Sequence, residues 1–130
     1  YYQVLPGFDL TIFPSYYEPW GYTPLESVAF GIPTVTTSLS GFGMWVIEKV
    51  SKVSKRSGVY VIPRTDSNYD ELTTKIAETI ASVATMKEAD YKALCDAATA
   101  TSKKALWSNF IAEYEKVYEK AIKQNKKTNK

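Results

Sequence analysis

The feature that most constrains this chain is a short apolar segment ended by a proline and followed by a loop and a second apolar segment. The segment Leu10 to Phe13 stops at Pro14, a pattern typical of a buried β-strand. The second segment, Pro24 to Phe30, has the length of a short helix and ends at Gly31. The loop between them therefore leads from a strand end to a helix N-terminus. In open α/β sheets, ligands bind at the carboxyl ends of the strands.

The start of the predicted helix carries a capping pattern. Thr23 fits the N-cap position, Pro24 the first helical position and Glu26 the reciprocal glutamate of a capping box. A helix N-terminus offers unpaired backbone N–H groups and the positive end of a dipole, both of which favour an anion such as phosphate. The sequence thus predicts a place for an anionic ligand beside this loop.

The following segments extend the same alternation. Tyr1 to Pro6 is predicted to be the end of a helix, and Thr34 to Thr37, a β-branched run, is a second strand. Ser38 to Gly43 is a glycine-bearing loop, Met44 to Val53 a helix, and Val59 to Ile62 a third strand. Strands that alternate with helices indicate an α/β fold, with a Rossmann-like partial parallel sheet and flanking helices.

The rest of the chain is predicted to be helical. Helices are expected from about Tyr69 to Val83 and from about Ala89 to Ala100. The last helix has one apolar face, which we interpret as core or domain packing; its members are Trp107, Phe110, Ile111, Tyr114, Val117, Tyr118 and Ile122. We expect one domain over residues 1–122 and a disordered basic tail over residues 123–130, a solvated end with no nucleic-acid surface.

Composition excludes several kinds of site. With no histidine and the single Cys95, the sequence predicts no metal site and no Ser-His-Asp site, and it fits a reducing cytoplasm. No apolar run is long enough to span a membrane. The net charge is +2, yet residues 1–46 contain no Lys or Arg, and all 16 basic residues follow from Lys49 onward. Cations that oppose an anionic ligand of the first segment must therefore come from elsewhere.

Two glutamates, Glu18 and Glu26, bracket the turn before the first predicted helix. Glu26 has a purely structural interpretation as a capping-box carboxylate. Glu18 has no such explanation, because it lies between tyrosines and a Pro-Trp-Gly turn. Both side chains could face a ligand that binds at the helix N-terminus, so both interpretations of Glu26 stay open at this point.

Three stretches carry a family resemblance. They are Pro14-Ser-Tyr-Tyr-Glu-Pro-Trp-Gly-Tyr-Thr-Pro24, Gly31-Ile-Pro-Thr-Val-Thr-Thr37 and Leu39-Ser-Gly-Phe-Gly43. Together they closely resemble the glycogen synthase family, specifically its animal and fungal branch. Retaining sugar-nucleotide glycosyltransferases at large share the looser spacing of the two glutamates. The family more often has Asn at the position of Ser38.

The resemblance implies the donor-binding, C-terminal part of a two-domain, B-type glycosyltransferase. The implied reaction transfers glucose with retention from UDP-glucose or ADP-glucose to the non-reducing end of an α-1,4-glucan such as glycogen. No cofactor, metal, membrane or nucleic acid is implied, and the location is cytoplasmic. Because the chain does not begin with Met, we expect it to be cut from a longer enzyme, to lack the N-terminal domain and to be inactive alone.

The resemblance also assigns roles to residues. Glu18 would lie beside the donor glucose and either hydrogen-bond its hydroxyls or stabilise oxocarbenium-like charge, whereas Glu26 would hold the ribose hydroxyls. The distal phosphate would meet backbone N–H and hydroxyl groups of Trp20, Gly21, Tyr22 and Thr23. Tyr1 falls where the family places an aromatic ring against uracil, and the arginine and lysine that oppose the diphosphate precede this region.

Two other functions stay open on the sequence. One is a different retaining glycosyltransferase with the same fold, of the sucrose- or trehalose-forming type. The Tyr22-Thr-Pro and Ser40-Gly-Phe-Gly stretches argue against it. The other is a non-catalytic carbohydrate-binding or interaction module, which the presence of both glutamates disfavours.

Overall fold

A computed structural model describes residues 1–51 and 57–128 of the chain. Its centre is a parallel sheet of three strands in the order β1-β2-β3, with β1 at Thr11–Ile12, β2 at Thr34–Thr37 and β3 at Val59–Ile62. Thr11 pairs with Thr34, and Thr34 in turn pairs with Val59. The predicted α/β class with a partial parallel sheet is therefore confirmed, and the bounds of the second and third strands match the prediction.

Helices cover both faces of this sheet. Their bounds are α1 Tyr22–Ala29, α2 Gly41–Trp45, α3 Tyr69–Ala84, α4 Glu88–Lys104 and α5 Trp107–Thr128. The predicted helices near Tyr69 and Ala89 are confirmed, and the second of these is longer at its C-terminal end than predicted.

Alternation along β3 divides the core into two clusters. Side chains of Val59 and Val61 pack on one face with Phe42 and Val28, which α2 and α1 supply. Tyr60 and Ile62 point to the other face; the cluster there contains Val35, Leu72 and Ile76, with Leu10 and Ile12 at its edge. Because both faces are covered, the carboxyl ends of the strands are the part of the sheet left for loops.

Two predicted boundaries near these strands are wrong, and a third lies outside the described residues. Leu5–Gly7 forms a 3₁₀ turn and is not the end of an α-helix, since Pro6 lies inside that turn. The predicted glycine-bearing loop ends at Ser40 and not at Gly43. The Ser40 hydroxyl caps α2 by accepting from the N–H of Gly43 at 3.2 Å. After Trp45 the chain continues as a π-helical segment, Val46–Ser51, and the predicted helix end at Val53 lies outside the described residues.

The last helix differs from the prediction in length and in packing. α5 runs to Thr128, into the segment predicted to be a disordered tail, and the division into a domain and a tail stays a prediction. Its apolar face is largely exposed, so the interpretation as core of this chain is wrong, whereas packing against another domain stays a prediction; the exposed members are Trp107, Ile111, Tyr114, Val117, Tyr118 and Ile122. Phe110 packs toward the domain, with its ring 6.5 Å from that of Trp45.

Candidate functional site

The loop after β1 is fastened to the loop after β2 by backbone hydrogen bonds. The N–H of Glu18 donates to the carbonyl of Leu39 at 3.1 Å, and the N–H of Gly41 donates to the carbonyl of Glu18 at 3.0 Å. One turn further on, the N–H of Phe42 donates to the carbonyl of Trp20 at 2.6 Å. These bonds form a short parallel bridge between Glu18 and Ser40. The backbone of Glu18 is therefore held as if in an extra strand at the carboxyl edge of the sheet.

Two glycines make this close approach possible. A Cβ at Gly41 would collide with the carbonyl oxygen of Pro19 and lie 3.1 Å from the Cα of Trp20. Gly21 has φ of 108°, a conformation that side chains of L-residues disfavour, and it turns the chain from the bridge into α1. The glycine positions thus follow from steric demands of the loop, independently of any ligand.

Glu18 presents its carboxylate from this rigid backbone. The side chain is half-buried, and no described residue gives its carboxylate a hydrogen bond or an ion pair. Its aliphatic part lies beside Gly21, since a Cβ at Gly21 would come 3.4 Å from Cγ of Glu18. A fixed backbone and an uncommitted carboxylate are what a residue that contacts a ligand needs.

The start of α1 corrects the predicted capping box. Helix α1 begins at Tyr22, its N-cap is Gly21, and no side chain caps it. Thr23 and Pro24 therefore lie in the first turn, and the carboxylate of Glu26 is too far along the helix for the reciprocal bond. The capping rule failed because the left-handed Gly21 ends the loop two residues earlier than Thr23 would.

This start leaves hydrogen-bond donors available. Pro24 has no N–H, and within the described chain the N–H groups of Tyr22 and Thr23 have no acceptor. Both groups lie in the first turn of the helix, where the dipole favours negative charge. The predicted pair Tyr22 and Thr23 is thus placed where a phosphate could accept two hydrogen bonds.

Glu26 belongs to a separate, more exposed corner. The hydroxyl of Tyr2 donates to its carboxylate at 2.9 Å, and the ring of Tyr2 stacks on Phe30 at 5.9 Å. The ring of Tyr1 lies 5.1 Å from that of Tyr2 in an edge arrangement. The hydrogen bond to Glu26 is the main cause that raises the pKa of Tyr2. Desolvation first, and then the charge of Glu26, raise the pKa of Tyr1.

The predicted site residues therefore fall into two groups. Glu18, Trp20 and Gly21 share the bridged loop with the start of α1, whereas Tyr1 and Glu26 share the exposed corner. No described contact joins the two carboxylates. The ring of Trp20 is partly buried and packs against the core, 6.1 Å from the rings of Phe42 and Trp45.

A cavity of about 370 Å³ opens beside the start of α1. It lies between this helix and the beginning of α5, and its lining is largely aromatic: Trp20, Tyr22, Leu25, Ala105, Trp107, Phe110 and Tyr114. Tyr22 is therefore shared between the cavity and the free N–H groups of the helix N-terminus.

One group at the sheet edge was missed by the sequence analysis. Arg64 follows β3 after a single proline and reaches the loop after β1, where its guanidinium donates to the carbonyl of Pro14 at 2.5 Å. The signal that could have found it is its position, because the carboxyl ends of parallel strands share one edge. Arg64 brings a positive charge to an edge that the first 46 residues leave without one.

Two negative findings concern the described residues alone. They contain no group of three or more His, Cys, Asp or Glu side chains that could hold a metal ion. They also contain no helix that is both long and apolar enough to cross a membrane.

Comparison with known proteins identifies the family. A family model described as glycogen synthase matches residues 1–129. The chain is 45% identical over 78 residues to glycogen [starch] synthase of Caenorhabditis elegans, which is 60% of this chain and 12% of that protein. It is 52% identical over 64 residues, 49% of the chain and 9% of the relative, to the liver glycogen [starch] synthase of Mus musculus.

A fungal relative gives the same result. The chain is 39% identical over 79 residues to glycogen [starch] synthase isoform 1 of Saccharomyces cerevisiae, which is 60% of this chain and 11% of that protein. The matched stretches thus span about a tenth of the length of these curated relatives. The family model covers nearly all of the chain, and this chain therefore belongs to the glycogen synthase family.

Proposed function

We propose that the chain is the donor-binding part of a longer glycogen (starch) synthase. The enzyme transfers glucose from UDP-glucose or ADP-glucose to the non-reducing end of an α-1,4-glucan, with retention of configuration. It works in the cytoplasm, as the family resemblance implies. Membership of the family supports this proposal, and the matches to glycogen synthases do not favour the sucrose- or trehalose-forming alternative or a non-catalytic module.

One observation carries the assignment to this end of the sheet. The half-buried Glu18, held by backbone hydrogen bonds, leads within a few residues to the unpaired N–H groups of Tyr22 and Thr23. In the proposal, those N–H groups and the Thr23 hydroxyl receive the distal phosphate of the donor, with the backbone of Trp20 and Gly21 shaping the turn. The donor glucose then lies beside Glu18.

Glu18 acts on the transition state in this proposal. When the bond between the anomeric carbon and the phosphate oxygen breaks, positive charge develops on the sugar ring and negative charge on the leaving diphosphate. A fixed carboxylate beside the ring stabilises the first charge, and a helix N-terminus stabilises the second. Because both groups are already in place, little reorganisation is needed at the moment of transfer.

The exposed corner receives the nucleoside. Glu26 accepts hydrogen bonds from the ribose hydroxyls, exchanging its bond with Tyr2 for bonds with the donor, and Tyr1 stacks on the base. The remaining charge of the diphosphate is met by an arginine and a lysine that the resemblance places ahead of Tyr1 in a longer chain. The N-terminal domain of that chain and the glucan acceptor complete the site.

The proposal is tested by glucose transfer in the full-length protein. The purified enzyme is incubated with glycogen and radiolabelled UDP-glucose or ADP-glucose, and label in the precipitated polymer is counted before and after α-amylase. We expect incorporation that α-amylase releases. No incorporation from either donor, or label found instead in sucrose 6-phosphate or trehalose 6-phosphate when fructose 6-phosphate or glucose 6-phosphate is supplied, would contradict the proposal.

The division of the enzyme has its own test. The polypeptide of residues 1–130 is expected to fold, as judged by circular dichroism, and to transfer no glucose, because the acceptor half and the upstream cations are missing. Measurable transfer to glycogen by this polypeptide alone would show that the domain assignment is wrong.

A further inference from the structure

The loop that carries Glu18 is fastened at two ends. Its C-terminal end is the backbone bridge to residues 39–42. Its N-terminal end is held by side chains: the hydroxyl of Thr37 donates to the carbonyl of Ser15 at 2.6 Å, and the guanidinium of Arg64 donates to the carbonyl of Pro14 at 2.5 Å. Glu18 lies between the two fastenings, so its carboxylate can keep a fixed position only if both hold.

Arg64 makes a second contact with the same loop. The centre of its guanidinium lies 5.0 Å from the centroid of the Tyr16 ring. The Tyr16 hydroxyl in turn donates to the carboxylate of Asp66, and the N–H of Arg64 donates to the hydroxyl of Ser38 at 3.0 Å. Arg64 and its neighbour Asp66 thus hold both the backbone and one side chain of the loop from the far end of β3.

Arginine suits this task better than lysine. Its planar guanidinium can donate along its edge to a carbonyl while its face covers an aromatic ring, whereas an ammonium group is a compact charge that favours one contact or the other. Here the edge contacts Pro14 and the face contacts Tyr16. Both the edge and the face of the Arg64 guanidinium are already in contact with the protein. This indicates that Arg64 is a structural partner of the loop and does not contact the donor directly.

We propose that Arg64, together with Tyr16, is a positioning element that sets the place of the Glu18 carboxylate during glucose transfer. This inference rests on the proposed function, since it needs Glu18 to act on the donor. The contacts of Arg64 and Tyr16 are partly exposed, and Tyr16 is 52% exposed, so their contribution to stability is small. Turnover is far more sensitive, because displacing a reacting group by about 1 Å can lower the rate on the order of 100-fold.

The test uses the full-length enzyme and four substitutions. Arg64→Met is expected to lower kcat about 10- to 100-fold, to change the donor KM little and to leave the thermal unfolding midpoint nearly unchanged. Arg64→Lys is expected to recover part of the loss, and Tyr16→Phe to show a smaller fall in kcat. Tyr17→Phe is the matched control, because Tyr17 is the adjacent residue, is 78% exposed and has no described partner; its kinetics are expected to match the wild type.

A double variant separates positioning from an independent role. If Arg64 acts through Glu18, then Arg64→Met combined with Glu18→Gln is expected to have the same kcat as Glu18→Gln alone. The inference would be overturned if the losses in kcat of the two single variants multiply in the double variant. It would also be overturned if Arg64→Met raises the donor KM without lowering kcat, leaves kcat unchanged, or lowers kcat only as far as it lowers the folded fraction. If Glu18→Gln alone keeps wild-type turnover, the proposed function fails instead, and that result is seen without any change at Arg64.

Discussion

The two glutamates of this chain are held in different ways. Glu18 is placed by its own backbone, through bonds of 3.1 and 3.0 Å to the loop after β2, and its carboxylate is uncommitted among the described residues. Glu26 sits on a helix, and its carboxylate is engaged by the hydroxyl of Tyr2, a residue that is 59% exposed. The backbone of Glu18 is held while its carboxylate has no partner among the described residues. The carboxylate of Glu26 has a hydrogen-bond partner, Tyr2, that a ligand can displace.

This difference matches the two kinds of work that a donor site needs. A group that stabilises a transition state must be in place beforehand, because any reorganisation adds to the barrier. A group that binds the nucleoside can exchange one hydrogen bond for another at little net cost, as Glu26 would when a ribose hydroxyl replaces Tyr2. Under the proposed function, this difference favours a role in the chemistry for Glu18 and in donor binding for Glu26, and four experiments can break or sharpen the contrast.

The largest effect is expected for Glu18→Gln in the full-length enzyme. Removing the charge while keeping the shape should lower turnover on the order of 100- to 1,000-fold, with the donor KM nearly unchanged, because the lost interaction is made in the transition state. Initial rates over a range of donor concentration measure both quantities. Glu71→Gln is the control, since Glu71 is exposed on α3 and pairs weakly with Lys75 at 3.9 Å. Turnover that survives Glu18→Gln would remove the basis of the comparison.

The next effect concerns the backbone that holds Glu18. Gly41→Ala places a Cβ against the carbonyl of Pro19, so the bridge must open or shift. We expect a loss of about 1–3 kcal/mol in the free energy of unfolding, measured by urea denaturation, together with lower turnover. Gly7→Ala is the matched control, because a Cβ there meets nothing within 4 Å. Equal stability of the two variants would show that the bridge is not tight.

A smaller effect is expected at the exposed corner. Glu26→Gln should weaken donor binding about tenfold, equivalent to ~1.4 kcal/mol, while turnover at saturating donor changes little. Because Glu26 caps no helix, its loss should leave the unfolding midpoint almost unchanged. Calorimetric titration of the full-length enzyme with donor measures the affinity. If Glu26→Gln lowers turnover and Glu18→Gln lowers affinity, the two assignments are reversed.

The smallest effect is a titration. The pKa of Tyr2 is raised above its ordinary value by its hydrogen bond to Glu26, so the folded state favours the neutral phenol. The contribution of this bond is thus fully present below about pH 10 and is lost as the pH rises through the raised value. Absorbance of tyrosinate at 295 nm, compared between wild type and Tyr2→Phe, reports this transition. In Glu26→Gln the same transition should move to lower pH; an unmoved transition would show that the bond does not form.

The structure follows the sequence most directly where a local pattern decides it. The β-branched run Thr34–Thr37 and the apolar run Val59–Ile62 became strands with the predicted bounds. The amphipathic spacing from Trp107 also predicted a helix, although periodicity shows only that one face is apolar and not what covers it. The capping box failed because two rules competed, and the left-handed turn at Gly21 decided the start of α1.

The contacts around Glu18 could not be predicted in the same way. Arg64 reaches Pro14 across 50 residues of sequence, and Tyr16 reaches Asp66 across the same separation. No local pattern encodes such a contact, since it depends on the order of the strands in the sheet. The position of the glutamates in the loop could thus be predicted from the sequence, but the side chains that hold the loop could not.

The large sequence separation of these contacts has a consequence for folding during synthesis. The loop around Glu18 leaves the ribosome before any of its partners: Thr37 is 22 residues behind Ser15, and Arg64 is 50 behind Pro14. At roughly 5–20 residues per second, those partners emerge seconds later, and contacts between distant segments close slowly. A nascent or truncated chain that stops short of β3 therefore carries Glu18 without holding it in place. Under the proposed function, the order of synthesis therefore delays a competent donor site until the sheet is assembled.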